Sequence, residues 1–137
     1  MTQCPLCDNP GRDSLWQDDF CRVILVEDTD YPGFCRVILN AHVREMTDLG
    51  VAERTRLMAV VFAVEAAVRE VMQPDKINLA SLGNMVPHVH WHVIPRFADD
   101  RHFPDAIWAA PKRLSAPQAR ADLRVRLLQS LERLLPG

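Results

Sequence analysis

The chain lacks a charge excess of either sign. Lys and Arg total 16 against 18 Asp and Glu, a net charge of −2. A general nucleic-acid binder normally carries a basic excess, so the balance argues against a polymeric nucleic acid as partner. It leaves room for a pocket that takes one small phosphate ligand. Long apolar runs are also missing. The longest is the eight residues from Leu57 to Val64, whereas a membrane helix needs about 20. Met1 to Cys7 shows no basic stretch followed by an apolar one, so no secretory signal is expected. Internal repeats and low-complexity tracts are absent. These absences point to a cytoplasmic protein without a membrane partner. Its four cysteines, Cys4, Cys7, Cys21 and Cys35, are then expected to stay reduced.

What is present fits one domain over residues 1–137. Hydrophobic residues make up 48% and charged residues 25%, an ordinary globular balance. A chain of this size buries about two-thirds of its unfolded surface, so disulfide staples are not needed. Residues 1–19 are polar, carry Pro5, Pro10 and Gly11, and are read as an irregular arm. Phe20 to Val26 and Phe34 to Leu39 are rich in β-branched and apolar residues and are read as a strand pair around the turn residues 27–33. A long helix follows, with Gly50 as N-cap and Glu53 three residues on. Leu57, Val61, Val64, Val68 and Val71 form its apolar stripe, and Pro74 stops it. Lys76 to Leu82 is a third strand and His88 to Ile94 a fourth. The Pro-punctuated stretch 95–115 has no period, and such segments are often functional. A last helix is expected over 116–135, with Ser115 and Gln118 as a capping box. The order of strands and helices favours an antiparallel α+β fold.

The strongest chemical signal is the alternation of His88, His90 and His92. On a strand, residues i, i+2 and i+4 share a face, at steps of about 6.5 Å. The three imidazoles would line one side while Val89, Trp91 and Val93 face the core. Such a row serves either a metal or nucleophilic attack at phosphorus, where the middle imidazole bonds covalently and water resolves the adduct. Imidazole, with a pKa near ~6.5, is largely neutral at pH 7. The row has no adjacent Glu of the H-E-x-x-H kind, which favours phosphorus.

The run His88-Val89-His90-Trp91-His92-Val93-Ile94 resembles the signature of the histidine-triad (HIT) family. The resemblance extends from about Cys4 to Phe97 and takes in Asp28, the Pro32-Gly33 turn, His42, the long helix, Asn78 and the Gly83-Asn84 turn. It implies a five-stranded antiparallel sheet with two helices, commonly a homodimer joining two sheets. It also implies a nucleotide hydrolase or transferase acting at the α-phosphorus of nucleoside phosphoramidates or dinucleoside polyphosphates. By that resemblance His90 is the nucleophile, His92 bonds the phosphate or bridging atom, and His88 orients the row or helps the leaving group. Asp28 lies near the ribose-binding acid, Asn78 matches a phosphate or leaving-group contact, and Asn84 sits where relatives often carry Gln. No cofactor is required for that chemistry.

Two positions depart from the family pattern. Phe34 stands where many relatives carry a fourth His, and Met85 where they often carry Ser or Thr. Some relatives hold structural zinc on a similar C-x-x-C pair and two histidines, positions that match Cys4, Cys7, His42 and His88. With zinc bound, His88 is a ligand and not an acid. The alternative is a reduced cysteine pair on the arm, with His42 on the surface. Arg96 reads as a phosphate-attracting or a surface charge, and His102 and Trp108 as a cover for the site, a contact to a partner subunit or ordinary loop packing. Two other functions stay open: a metal-dependent hydrolase using the His row, and a nucleotide- or zinc-binding module with little catalysis.

Overall fold

The computed structural model describes residues 4–8 and 13–136. Of the arm expected over 1–19, Pro10 and Gly11 lie outside the described residues. The remainder contains a single helical turn, α1 (Pro5–Asp8), and a two-residue strand, β1 (Trp16–Gln17). Four longer strands follow: β2 (Cys21–Leu25), β3 (Cys35–Leu39), β4 (Lys76–Ala80) and β5 (His90–Arg96). They form one antiparallel sheet in the order β1-β2-β3-β5-β4. Three of the expected strands are present with trimmed ends, the fourth is shifted from His88–Ile94 to His90–Arg96 and takes in the start of the stretch expected to be irregular, and β1 is an addition that two residues could not announce by periodicity.

Alternation divides the sheet into two faces. Cys21, Val23, Cys35, Val37, Leu39 and Val93 point into the main core and are essentially buried. The long helix α2 (Val51–Met72) covers this face, and its stripe of Leu57, Val61, Val64, Val68 and Val71 is buried throughout. Gly50 N–H bonds the Glu53 carboxylate at 3.0 Å, as the capping pattern predicts. The helix stops at Gln73, which takes a left-handed conformation ahead of Pro74. At the β2–β3 turn, Gly33 has φ +87°, and a Cβ there would lie 2.6 Å from Met72. Only glycine lets this turn seat on the helix end.

The last helix, α3, spans Leu123–Leu134, not 116–135. Residues 115–120 are irregular, and Asp122, in a left-handed conformation, begins the helix. The Ser115/Gln118 capping pattern is therefore a local coincidence. The apolar positions Leu127 and Leu131 that anchor α3 are buried against the core, whereas Leu114 just upstream is 92% exposed.

The opposite face of the sheet carries Arg22, Arg36, Ile38, His90, His92 and Ile94. It is covered by α1 and by the irregular segment after β5. Tyr31, Phe34 and Ile94 form a second, smaller apolar cluster there, with Ile107 packed on it. Among the described residues, no helix is long and apolar enough to cross a membrane.

Candidate active site

His90 and His92 stand on β5 as alternation requires, 8% and 6% exposed. Their rings meet edge-on, 5.0 Å between centroids. Both line a cavity of about 380 Å³ whose other walls include Leu6, Arg36, Asn84, Met85 and Trp108. That volume is within the range of small-ligand pockets. Trp91 lies on the other side, packed against the main core.

His88 does not share this cavity. The strand expected from His88 begins at His90: the Val89 carbonyl still accepts from Leu39 N–H in the β3 register, but Val89 N–H turns to the Val43 carbonyl at 2.7 Å. The His88 ring is 1% exposed and lies among Cys4, Cys7 and His42. Its Nδ1 is 3.4 Å from each sulfur and 3.1 Å from His42 Nδ1, and Cys7 Sγ is 3.3 Å from His42 Nδ1. The four ligand atoms all lie within 4.8 Å of one another. With Zn–S near 2.3 Å and Zn–N near 2.0–2.1 Å, tetrahedral edges run roughly 3.3–3.8 Å, so this Cys₂His₂ set has the size of a structural zinc site. His88 Nε2 sits 2.6 Å from the Leu39 carbonyl. As a donor there, it leaves Nδ1 with the lone pair a metal needs.

The tautomers of the other two rings follow from their partners. His90 Nδ1 is 2.6 Å from the backbone carbonyl of His88. A carbonyl can only accept, so Nδ1 carries the hydrogen and Nε2 is a free lone pair. Ser81 Oγ donates to the His90 carbonyl at 2.7 Å and steadies the same stretch. Arg36 Nε donates to His92 Nδ1 at 3.4 Å, so the hydrogen of His92 is on Nε2. Burial lowers the pKa of His90, with Arg36 adding to the effect. Burial, then Arg36 and His90, brings His92 down to about 4. Both rings are neutral at pH 7.

Phe34 contributes to that burial. It is 3% exposed, and its ring stands edge-on to His92 at 5.7 Å. Where relatives place a fourth His, this chain has an apolar ring, and Arg36 supplies the hydrogen bond to His92. Nothing local in the sequence singles out Arg36. Its signal was register, since Arg36 pairs with His92 across β3 and β5, and register follows only once the sheet is assembled. Trp108, for which the sequence leaves cover and loop packing open, lines the cavity with its ring 5.0 Å from His92.

Other expected contacts are engaged elsewhere. Arg96 is 2% exposed and paired with Asp100 at 2.8 Å, so it is neither a surface charge nor free for phosphate. Asn78 Oδ1 accepts from Arg96 at 2.7 Å, which occupies it away from the cavity. Asp100 also receives Tyr31 Oη and the backbone N–H groups of Phe97, His102 and Phe103. His102 Nδ1 lies 2.6 Å from Tyr31 Oη. This network folds the segment after β5 back over the site. Asp28 caps its own turn by accepting from Asp30 N–H at 2.9 Å, and it lines a separate hollow with Pro32, Gly33 and Leu123. Asn84 is the one expected binding residue that reaches the cavity.

Comparison with known proteins agrees with this geometry. A histidine triad protein from Marinobacter aquaeolei VT8 is 28% identical, with a TM-score of 0.76 over 98% of this chain and 100% of that chain. A histidine triad protein from Bradyrhizobium japonicum is 26% identical, with a TM-score of 0.71 over 88% of this chain and 87% of that one. AP-4-A phosphorylase of Mycobacterium tuberculosis is 30% identical over 78 residues, 53% of this chain. The match spans only 40% of that relative's length. The family model for the HIT domain matches residues 11–99, a stretch that holds β1 to β5, α2 and the whole histidine row. This chain belongs to the HIT-domain family.

Proposed function

We propose that the protein is a nucleotide hydrolase or transferase that acts at the α-phosphorus through a covalent nucleotidyl-His90 intermediate. The observation that carries the reading is the His90 Nδ1–H···O=C bond to His88. It presents a neutral, correctly protonated nucleophile beside a cavity of nucleotide size. Nε2 of His90 attacks the α-phosphorus, an N–P bond forms, and the bond to the leaving group breaks, its electron pair going to the leaving atom, which takes a proton from solvent when it is an amine nitrogen. His92 Nε2–H donates a hydrogen bond to a phosphate oxygen or to the bridging atom as charge develops there. Water then attacks phosphorus, displaces Nε2 and loses a proton to solvent. Phosphate in place of water makes the same step a transfer. Phosphoramidates and dinucleoside polyphosphates are the substrate classes that fit, and the phosphorylase similarity supports the second. Asn84 closes one wall of the pocket.

In this reading Cys4, Cys7, His42 and His88 hold a structural zinc ion, which would fasten the arm to the sheet. His88 then acts as a ligand and not as a proton donor. Arg22 supports the same arm through the Leu6 carbonyl, and Leu6 is a wall of the cavity. The zinc supplies folding free energy, and the chain's own histidines carry the chemistry. We further propose a cytoplasmic homodimer. Among the described residues, β4 pairs with a neighbour on one side only, and such an edge can extend into the sheet of a second copy.

The test is release of AMP from adenosine phosphoramidate and from diadenosine tetraphosphate, with His90→Ala in parallel. Turnover by wild type and at least a 1,000-fold loss in the variant (roughly 4 kcal/mol) is the expected result. Equal turnover by both proteins removes His90 from the role. A rate that chelator abolishes and added metal restores would favour the metal-dependent alternative.

A further inference from the structure

Arg36 is an unusual resident of the triad face. It projects from β3 opposite His92 and is half-buried. Its Nε meets His92, and its guanidinium carbon lies 5.9 Å from the centroid of the Phe34 ring. It lines the cavity beside His90 and His92. Among the described residues no carboxylate pairs with it, whereas the more deeply buried Arg96 has Asp100. A partly desolvated cation without a counter-charge is costly unless an anion reaches it. Guanidinium is the side chain best suited to bind a phosphoryl group, through two parallel N–H···O bonds. With Nε used on His92, both terminal nitrogens of Arg36 remain for such a group among the described residues.

Resting on the triad chemistry proposed above, we propose that Arg36 is the specificity residue of the cavity, binding a second, anionic phosphoryl group of the substrate. The site then prefers nucleotides whose leaving group is itself a phosphate or polyphosphate over those that release a neutral amine. When His90 attacks, the bond between the α-phosphorus and the bridging oxygen breaks. The oxygen keeps the electron pair and departs as a phosphate anion. Arg36 stays cationic and transfers no proton. Its contribution is to hold the charge that grows on the leaving side, a contribution that a neutral amine does not draw on.

The test compares kcat/KM for diadenosine tetraphosphate and adenosine phosphoramidate in wild type, Arg36→Met and Arg36→Lys. Loss of a charge-assisted contact predicts a drop of about 30- to 100-fold on the tetraphosphate in Arg36→Met. The phosphoramidate should fall less, by the loss of the His92 bond alone, so the tetraphosphate-to-phosphoramidate ratio should drop about tenfold or more, and Arg36→Lys should fall between, keeping charge but losing the fork. Arg36→Gln replaces Arg36→Met if the latter fails to fold. An equal loss on both substrates overturns the proposal and leaves the triad reading intact. A second arm measures binding of ATP and AMP by titration calorimetry. Wild type should favour ATP, and the neutral variant should lose about tenfold or more of that preference. If wild type turns over neither substrate yet shows this change in preference, Arg36 is an anion-binding residue and the hydrolase reading fails. An unchanged ATP-to-AMP preference overturns the proposal whatever the activity.

Discussion

The edge of the Phe34 ring against His92, 5.7 Å between centroids, replaces a polar relay with an apolar wall. His92 consequently has no hydrogen-bonding ring on that side. It is held by Arg36 through Nδ1, and its pKa falls to about 4. The departure at Phe34 thus comes with a residue two positions along the chain, Arg36, that holds His92 instead.

This has a pH consequence. A histidine with a folded pKa of about 4 against an ordinary 6.5 is neutral in both states above pH 6.5. Below that, the unfolded chain takes up a proton that the folded one refuses. Stability is therefore lost as pH falls from 6.5 toward 4. Urea midpoints measured across that range should decline in wild type, and His92→Gln should flatten part of the slope. Phe34→His should raise the His92 pKa, readable in a histidine NMR titration. A His92 pKa near 6.5 in wild type contradicts the burial argument.

The Arg96–Asp100 pair predicts a second, more acidic transition. Burial opposes ionisation of Asp100, but hydrogen bonds from Arg96 and from the backbone of Phe97 and His102, with the Arg96 charge, outweigh it and bring the pKa down to about 2. Its stabilising contribution is complete above about pH 4 and disappears as pH falls through 2. Asp100→Asn removes one partner of a buried pair and should cost about 3–5 kcal/mol. Because the same carboxylate anchors the segment bearing Trp108, the variant should also alter Trp fluorescence. Denaturation curves that match wild type would remove the network from its structural role.

The Cys₂His₂ cluster predicts one bound zinc ion per chain. Elemental analysis of purified protein should find it, and Cys7→Ser should reduce metal content and thermal stability together. His90→Ala should keep the metal. Retention of zinc by a Cys4→Ser/Cys7→Ser double variant would place the ion elsewhere.

Much of this architecture was legible in the residue pattern, and the exceptions have physical causes. The α2 stripe and the His90/His92 alternation are local periodicities, and local periodicity survives folding unchanged. His88 follows the same alternation yet leaves the strand, because Val89 pairs with Val43 and the arm brings two sulfurs to its ring. Such a partner 84 residues away in sequence has no local signature. Asn78 and Arg96 both look like phosphate ligands in isolation. Their mutual hydrogen bond and the Asp100 pair cancel that availability, and only the register of β4 on β5 brings them together. Arg36 is the reverse case, an ordinary strand residue in sequence that the register of β3 on β5 sets opposite His92.

The proposed reaction turns on a bond between Nε2 of His90 and phosphorus. Wild-type protein mixed with diadenosine tetraphosphate and quenched in base within milliseconds should carry an adenylyl group, located by peptide mass spectrometry on His90. The same peptide from His90→Ala should be unmodified. An adduct on His88 or His92, or rapid turnover with no adduct on His90, would contradict the account.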